Sequence, residues 1–207
     1  MNIKGFSRTL NIVAILIILI GHGPSRVYGE SLQDPFLKGW SEYENKNFDL
    51  ALKTWLPLAE RGNPDAQYFV GIFFSKGLGV PVNFKEAGKW FQKSADQGDV
   101  GAQYQLGIFF ETGKGYPRDL HQAGYWFKKA AKQGYPDAQY HLGRWYSKIN
   151  GAKQDFVLSY VWLSLAEANG IQTARPKINA VKKQLTPEQL TKASQLAHKL
   201  WLQLEER

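Results

Sequence analysis

Along most of this chain, apolar residues recur at the three- and four-residue spacing of α-helices. The same pattern repeats every 36 residues. Residues 84–119 and residues 120–155 are identical at 15 of 36 positions without a gap. Because several residue types repeat together at one fixed period, the pattern predicts a solenoid of stacked helical units. The markers are Ala51, Ala87 and Ala123; Trp90, Trp126 and Trp162; Gly62, Gly98, Gly134 and Gly170; Ala66, Ala102, Ala138 and Ala174; and Gly71, Gly107 and Gly143.

Each period predicts two helices of about 13 residues, joined as a hairpin. The first helix ends before a glycine such as Gly98 or Gly134, which suits the left-handed position that closes a helix. The second helix begins at a first-turn proline, Pro64 or Pro136, where the missing N–H costs nothing. The predicted repeats are approximately residues 48–83, 84–119 and 120–155, with a partial repeat at 156–185.

Both ends of the repeat region depart from the pattern. Residues 36–43 predict a shortened first helix. A last helix is predicted over 186–206, with Thr186 as N-cap, Pro187 at the first helical position and Gln189 completing a capping box. Its apolar face suits a terminal cap for the stack. The total is ten helices in five hairpins.

Glycines recur inside the predicted second helices at Gly71, Gly107 and Gly143, where each costs about 1 kcal/mol relative to alanine. We interpret this repeated cost as the consequence of a close approach by a neighbouring helix, at a position with no room for a Cβ. The tryptophan row is expected to fill the space between successive hairpins.

The motif Ala-x-x-Trp-Phe-x-Lys-Ala-Ala-x-Gln-Gly, followed by Ala-Gln-x-x-Leu-Gly, runs through residues 123–143. It resembles the Sel-like repeat (SLR) family, relatives of the tetratricopeptide repeat, and the resemblance covers roughly residues 31–185. The resemblance implies an all-α, right-handed α/α superhelical solenoid. It also implies a protein-binding role, such as assembling envelope complexes, regulating a membrane sensor or aiding a pathogen's contact with its host.

The first 29 residues have the three-part form of a secretory signal peptide. Lys4 and Arg8 precede an apolar run at 10–20, and Gly29 offers a cleavage site. We therefore expect a bacterial periplasmic or secreted protein made of residues 30–207. An uncleaved membrane anchor is the alternative, although eleven apolar residues fall short of the roughly 20 that span a bilayer. The mature chain would carry a net charge of +5, spread too evenly to favour nucleic-acid binding.

Motifs that would support catalysis, metal binding or cofactor binding are missing from the sequence. There is no cysteine, no HExxH, no Gly-x-Ser-x-Gly and no Ser-x-x-Lys, and the Gly-x-Gly loops lack the Lys-Ser/Thr of a phosphate-binding loop. We predict no cofactor, no metal and no enzyme activity. The alternative is an enzyme that acts on the cell wall or hydrolyses β-lactams, for which Glu42, Glu44 and Glu111 are the acids to inspect. A subunit ordered only within a larger machine is a third hypothesis.

In the related repeats, the helix that carries Leu-Gly lines a concave groove. If this chain is similar, one row of partner-binding candidates lies three residues before the helix glycine and a second row lies just after it. Such a groove suits an extended peptide or a helix of another protein. The same tyrosines could instead pack against the adjacent hairpin, and this alternative stays open. The candidates are Phe36, Tyr68, Tyr104 and Tyr140; Trp40, Ile72, Ile108 and Arg144; and Tyr43 of the first helix.

Overall fold

A computed structural model describes residues 34–148 and 154–206. In these ranges ten α-helices follow one another and no strand is present. The predicted all-α tandem array is therefore confirmed, whereas the predicted signal peptide lies outside the described residues. The helices are α1 (Pro35–Glu44), α2 (Phe48–Glu60), α3 (Pro64–Lys76), α4 (Phe84–Asp96), α5 (Val100–Thr112), α6 (Leu120–Lys132), α7 (Pro136–Lys148), α8 (Phe156–Ala168), α9 (Ala174–Lys182) and α10 (Pro187–Glu205).

Helix positions repeat with the 36-residue period of the sequence. The first helices of the hairpins begin at Phe48, Phe84, Leu120 and Phe156, and each has 13 residues. The second helices α3, α5 and α7 also have 13 residues each. The terminal hairpins differ, because α1 has 10 residues and α9 has 9.

Helix starts are stabilised by side chains immediately before them. Asn63, Asn83 and Asp155 each accept a hydrogen bond from a backbone N–H in the first turn of the following helix. At α10, Thr186 and Gln189 form both hydrogen bonds of the predicted capping box, at 3.2 Å and 2.9 Å. At the ends of the first helices, Gly98 and Gly134 adopt positive φ as predicted.

The described residues form two compact units, which divide within α5. The first comprises residues up to Ala102 together with 114–116, and the second comprises 103–113 together with 117–206. In the first unit, the core centres on the fully buried Trp55, whose ring stacks on Phe69 at 4.7 Å and whose indole N–H donates to the Phe36 carbonyl. In the second unit, Leu106, Phe127, Leu142 and Leu163 are fully or almost fully buried.

The helix glycines each face a large side chain of the next first helix. A Cβ at Gly71 would lie 2.6 Å from the Phe91 ring, and one at Gly143 would lie 2.6 Å from Leu163. Gly107 faces the ring of Phe127 in the same way. At Gly71 and Gly107 the neighbour that excludes a Cβ is thus a packed ring. At Gly143 the backbone nitrogen of Leu163 would also lie 3.0 Å from a Cβ, as the predicted close approach of a neighbouring helix requires. In the tryptophan row, Trp126 and Trp162 are buried and Trp90 is half-buried.

Buried glutamines form a polar ladder beside the apolar core. Gln67, Gln103 and Gln139 recur at the 36-residue period and are at most 4% exposed. The side-chain oxygen of each accepts a hydrogen bond, from the amides of Gln97, Gln133 and Asn169 at 2.8 Å, 2.9 Å and 3.0 Å respectively. Among the described residues, no buried side-chain nitrogen or oxygen is without a partner. The ladder therefore joins each second helix to the end of the next first helix without a desolvation penalty.

Substituting Gly107 by alanine tests the glycine contact. We expect Gly107→Ala to lower the free energy of unfolding by about 1–3 kcal/mol, because overpacking against Phe127 outweighs the gain in helix propensity. Urea unfolding measures the change. In a Phe127→Leu background, which lacks the ring, the same substitution should cost less; equal costs in both backgrounds would contradict the ring contact as the cause.

Asp99, the N-cap residue of α5, is expected to make the stability of the fold depend on pH. Asp99 accepts a 2.6 Å hydrogen bond from Ala102, and burial, aided by the charge of Asp65, raises its pKa from 3.8 to about 6. Between pH 3.8 and about 6, Asp99 therefore holds a proton in the folded chain that it has lost in the unfolded chain. The free energy of unfolding falls as the pH rises through this range.

Asn63 occupies the same cap position one period earlier and accepts a 2.8 Å hydrogen bond from Ala66, so asparagine fits the site. We expect Asp99→Asn to be the more stable chain at pH about 8, by about 1 kcal/mol, with the difference shrinking towards pH about 4. Urea unfolding across this range measures it. A difference that does not change with pH would show that ionisation of Asp99 carries no cost.

Candidate functional site

The nine candidate residues come from the helices α1, α3, α5 and α7. Eight of them occupy two equivalent positions of each helix, three residues before the helix glycine and one residue after it, and Tyr43 is a further residue of α1. Residues i, i+4 and i+7 of a helix share a face, which groups Tyr104 with Ile108 in α5 and Tyr140 with Arg144 in α7. We call this set the candidate stripe. It comprises Phe36, Trp40 and Tyr43; Tyr68 and Ile72; Tyr104 and Ile108; and Tyr140 and Arg144.

Two members of the candidate stripe lie in the core of the first unit. Phe36 is 7% exposed and packs on Trp55 and Phe69, while Ile72 is 8% exposed. Because so little of either side chain reaches solvent, a partner could contact neither to any useful extent. The prediction that Phe36 and Ile72 line an open groove is therefore corrected: they are core residues.

The remaining candidates of the first unit are half-buried, and their rings pack on the core. The ring centroid of Trp40 lies 5.5 Å from that of Phe69, and the ring centroid of Tyr43 lies 6.0 Å from that of Phe73. Tyr68 lies 6.0 Å from Phe91. These three side chains thus combine a structural contact with a partly accessible face.

In the second unit, Tyr104 is the centre of an aromatic cluster. Its ring centroid lies 5.0 Å from Tyr135, 5.7 Å from His141 and 6.1 Å from Phe127. Burial is the main reason that the pKa of Tyr104 is raised, so its hydroxyl stays protonated. Tyr104 is half-buried, so its side chain packs in this cluster while part of it stays accessible to solvent.

A polar pair adjoins this cluster. The Nδ1 atom of His141 lies 3.0 Å from a carboxylate oxygen of Glu111, and the two side chains are 16% and 29% exposed. The hydrogen bond with His141 lowers the pKa of Glu111, and the positive charges of Arg144 and Arg118 act in the same direction. Glu111 is therefore ionised at neutral pH.

The pairing of His141 with Glu111 was not predicted, although Glu111 was among the acids to inspect. A sequence signal exists, because Glu111 lies seven residues after Tyr104 and His141 directly follows Tyr140. The two residues therefore belong to the candidate stripe or its margin. Nearby, the guanidinium of Arg144 lies 5.6 Å from the centroid of the Tyr140 ring, within the range of a cation–π contact.

Each of the three acids considered for catalysis forms a hydrogen bond with another side chain. Glu42 accepts a hydrogen bond from the Asn47 amide, and Glu44 accepts one from the Trp40 indole, both at exposed positions. The pKa of Glu111 is lowered, the reverse of the shift that a general acid requires. Within the described ranges, no group of three or more His, Asp or Glu side chains could hold a metal ion.

No helix in the described parts of the chain is both long enough and apolar enough to cross a membrane.

The 36-residue unit matches a known repeat. A family model described as Sel1 repeat matches residues 64–99, 100–135 and 136–171. These three segments begin at the first residues of α3, α5 and α7. The match covers the part of the chain that contains the helix glycines and the glutamine ladder, so both features belong to the repeat unit itself.

Two solved structures are similar to this chain. A Sel1 repeat protein from Oxalobacter formigenes is 30% identical, with a TM-score of 0.65, over 69% of this chain and 59% of that chain. A protective antigen present in uropathogenic Escherichia coli strains, displaying an SLR fold, is 27% identical, with a TM-score of 0.56, over 83% of this chain and 47% of that chain. This chain thus spans only part of the length of either structure. The similarities confirm the predicted Sel-like resemblance and the solenoid fold class.

Replacing His141 by phenylalanine tests the polar pair. Phenylalanine is the residue at the equivalent position Phe69, so the ring contact with Phe127 should persist. We expect His141→Phe to raise the pKa of Glu111 towards its ordinary value, because the hydrogen bond to the carboxylate is lost. Carboxyl-carbon NMR titration measures this pKa. An unchanged pKa would show that His141 does not hold the carboxylate in its ionised form.

Proposed function

Because the chain belongs to the Sel1 repeat family, we propose that it is an exported adaptor that binds another protein through the accessible side chains of the candidate stripe in α5 and α7. These are Tyr104, Ile108, Tyr140 and Arg144. Sel1 repeats are helical modules suited to protein–protein interaction. The binding segment of the partner would be an extended peptide or a helix. No catalytic step and no cofactor form part of this role.

The observation that carries the proposal is that buried and accessible side chains alternate within the second helices α5 and α7. In α5, Leu106 is fully buried, whereas Tyr104 and Ile108 on either side of it are half-buried. In α7, Leu142 is fully buried between the half-buried Tyr140 and Arg144. The large side chains beside these buried leucines therefore keep part of their area accessible on one face of α5 and of α7.

The chemistry of these positions also supports partner binding. Tyrosine offers a large contact area with few torsions to fix, and arginine adds a fork of donors, so both are frequent at energetically important interface positions. Tyr104 is already held between Tyr135 and His141. A side chain held in this way loses little further entropy when a partner binds.

Export is supported by the sequence of residues 1–29 alone. We propose that the chain crosses the inner membrane and is cleaved after Gly29, which leaves a mature protein that begins at Glu30. Amino-terminal sequencing of the protein from cell fractions gives the direct test. A chain that retains its first residues in the cytoplasmic fraction would contradict export.

Partner binding is tested with a photoreactive amino acid at Ile108, expressed from the full-length gene in the native host. We expect illumination to produce discrete covalent adducts, because Ile108 is half-buried and borders Tyr104. The matched control carries the same amino acid at Lys128, an exposed position of the first helix α6.

Adducts at Ile108 that are absent at Lys128 would support the proposal, and mass spectrometry would then identify the partner segment. No adduct at Ile108, or the same adducts at both positions, would contradict binding along the candidate stripe. Circular dichroism of each variant shows whether the helices are retained.

A further inference from the structure

Positive charge is concentrated in the second unit of the chain. The described residues of the first unit contain nine acidic and nine basic side chains (Asp and Glu against Lys and Arg), whereas those of the second unit contain eight acidic and twelve basic side chains. The excess is clearest at α9, where Arg175, Lys177 and Lys182 are followed by Lys183 and no acidic residue occurs between Glu167 and Glu188.

The repeat register places two of these lysines beside the continuation of the candidate stripe. One period after Tyr140 and Arg144 stand Pro176 and Ala180 of α9. Lys177 and Lys183 stand one period after His141 and Ser147. Both lysines are exposed, because α9 turns Ala174, Ile178 and Val181 into the core of the unit.

Tyr140 connects this region to α7. Its ring packs against the apolar cluster that contains Ile178 and Val181 of α9. The guanidinium of Arg144 lies over the same ring. We call Tyr140, Arg144, Lys177 and Lys183 the basic face.

The charges of this face are available to an outside anion. Arg175 pairs with Glu167 at 2.5 Å, and the Lys182 ammonium lies 5.8 Å from the Tyr160 ring centroid. By contrast, no carboxylate of the described chain forms an ion pair with Lys177 or Lys183. The carboxylate of Glu111, whose pKa responds to Arg144, is hydrogen-bonded to His141 instead.

We propose that the basic face binds an acidic segment of the partner protein. This inference rests on the proposed function and names the chemistry of the partner at one end of the candidate stripe. An acidic peptide is favoured over a phosphate polymer or a lipid surface, because the apolar and aromatic side chains Ile108 and Tyr104 continue the same stripe. A peptide can present carboxylates to the cations and apolar side chains to these neighbours within one segment.

The test uses the purified chain and a fluorescent peptide in which glutamate alternates with leucine and serine. A second peptide carries glutamine in place of each glutamate. Fluorescence anisotropy gives both dissociation constants. We expect the glutamate peptide to bind about tenfold more tightly, with the difference shrinking as added salt shortens the Debye length from about 10 Å to about 3 Å.

Two charge-matched variants locate the binding. The first, Arg144→Gln with Lys177→Gln and Lys183→Gln, neutralises the basic face. The second, Lys128→Gln with Lys192→Gln and Lys199→Gln, removes the same charge from exposed positions of α6 and α10 in the same unit. We expect the first variant to weaken binding of the glutamate peptide about tenfold and the second to change it less than about threefold.

Equal losses in the two variants, or equal binding of the two peptides, would overturn the inference. The inference would also be overturned if the first variant lost binding to phosphatidylglycerol vesicles or duplex DNA but still bound the glutamate peptide. In cells, Ile108 adducts that persist unchanged in the first variant would overturn the acidic partner while leaving partner binding intact. Absence of Ile108 adducts in the unmodified chain would instead remove the proposed function.

Discussion

The packing of a large side chain against a helix position without a Cβ is the contact on which each repeat depends. At Gly71 and Gly107 the space that a Cβ would fill is taken by the rings of Phe91 and Phe127, and at Gly143 it is taken by Leu163. Glycine in a helix costs about 1 kcal/mol relative to alanine. Because glycine recurs at these three equivalent positions, we infer that the buried contact with the ring or the leucine offsets this cost in each of the three periods.

The glutamine ladder complements this apolar contact with a polar one. An amide in a core is costly unless its hydrogen bonds are made, and Gln67, Gln103 and Gln139 each receive a donor from the next first helix. The ring contact excludes water, and the ladder requires a defined register between the same two helices. Together they explain why Ala-Gln and Leu-Gly recur as a unit in the sequence.

The same geometry determines what is left for binding. The positions next to the buried leucines and rings can hold large side chains without disturbing the core. Tyrosine occupies three such positions, Tyr68, Tyr104 and Tyr140. In the second unit, Arg144, the Glu111–His141 pair and the lysines of α9 also supply charged side chains. The proposed partner binding is therefore separable from core stability at the exposed lysines and is coupled to it at Tyr104, which packs on Phe127.

Local sequence was sufficient to predict the period, the ten helices, the left-handed glycines at helix ends and the capping box at Thr186, because each of these depends on residues a few positions apart. Burial within the candidate stripe was decided only by the tertiary structure. Phe36 and Ile72 occupy positions equivalent to Tyr104 and Ile108, yet both are buried. For Phe36 the reason is that the rings of Trp55 and Phe69, which pack on it, come from other helices. The pairing of Glu111 with His141, 30 residues apart, likewise follows from how two helices are placed side by side, which helical periodicity does not encode.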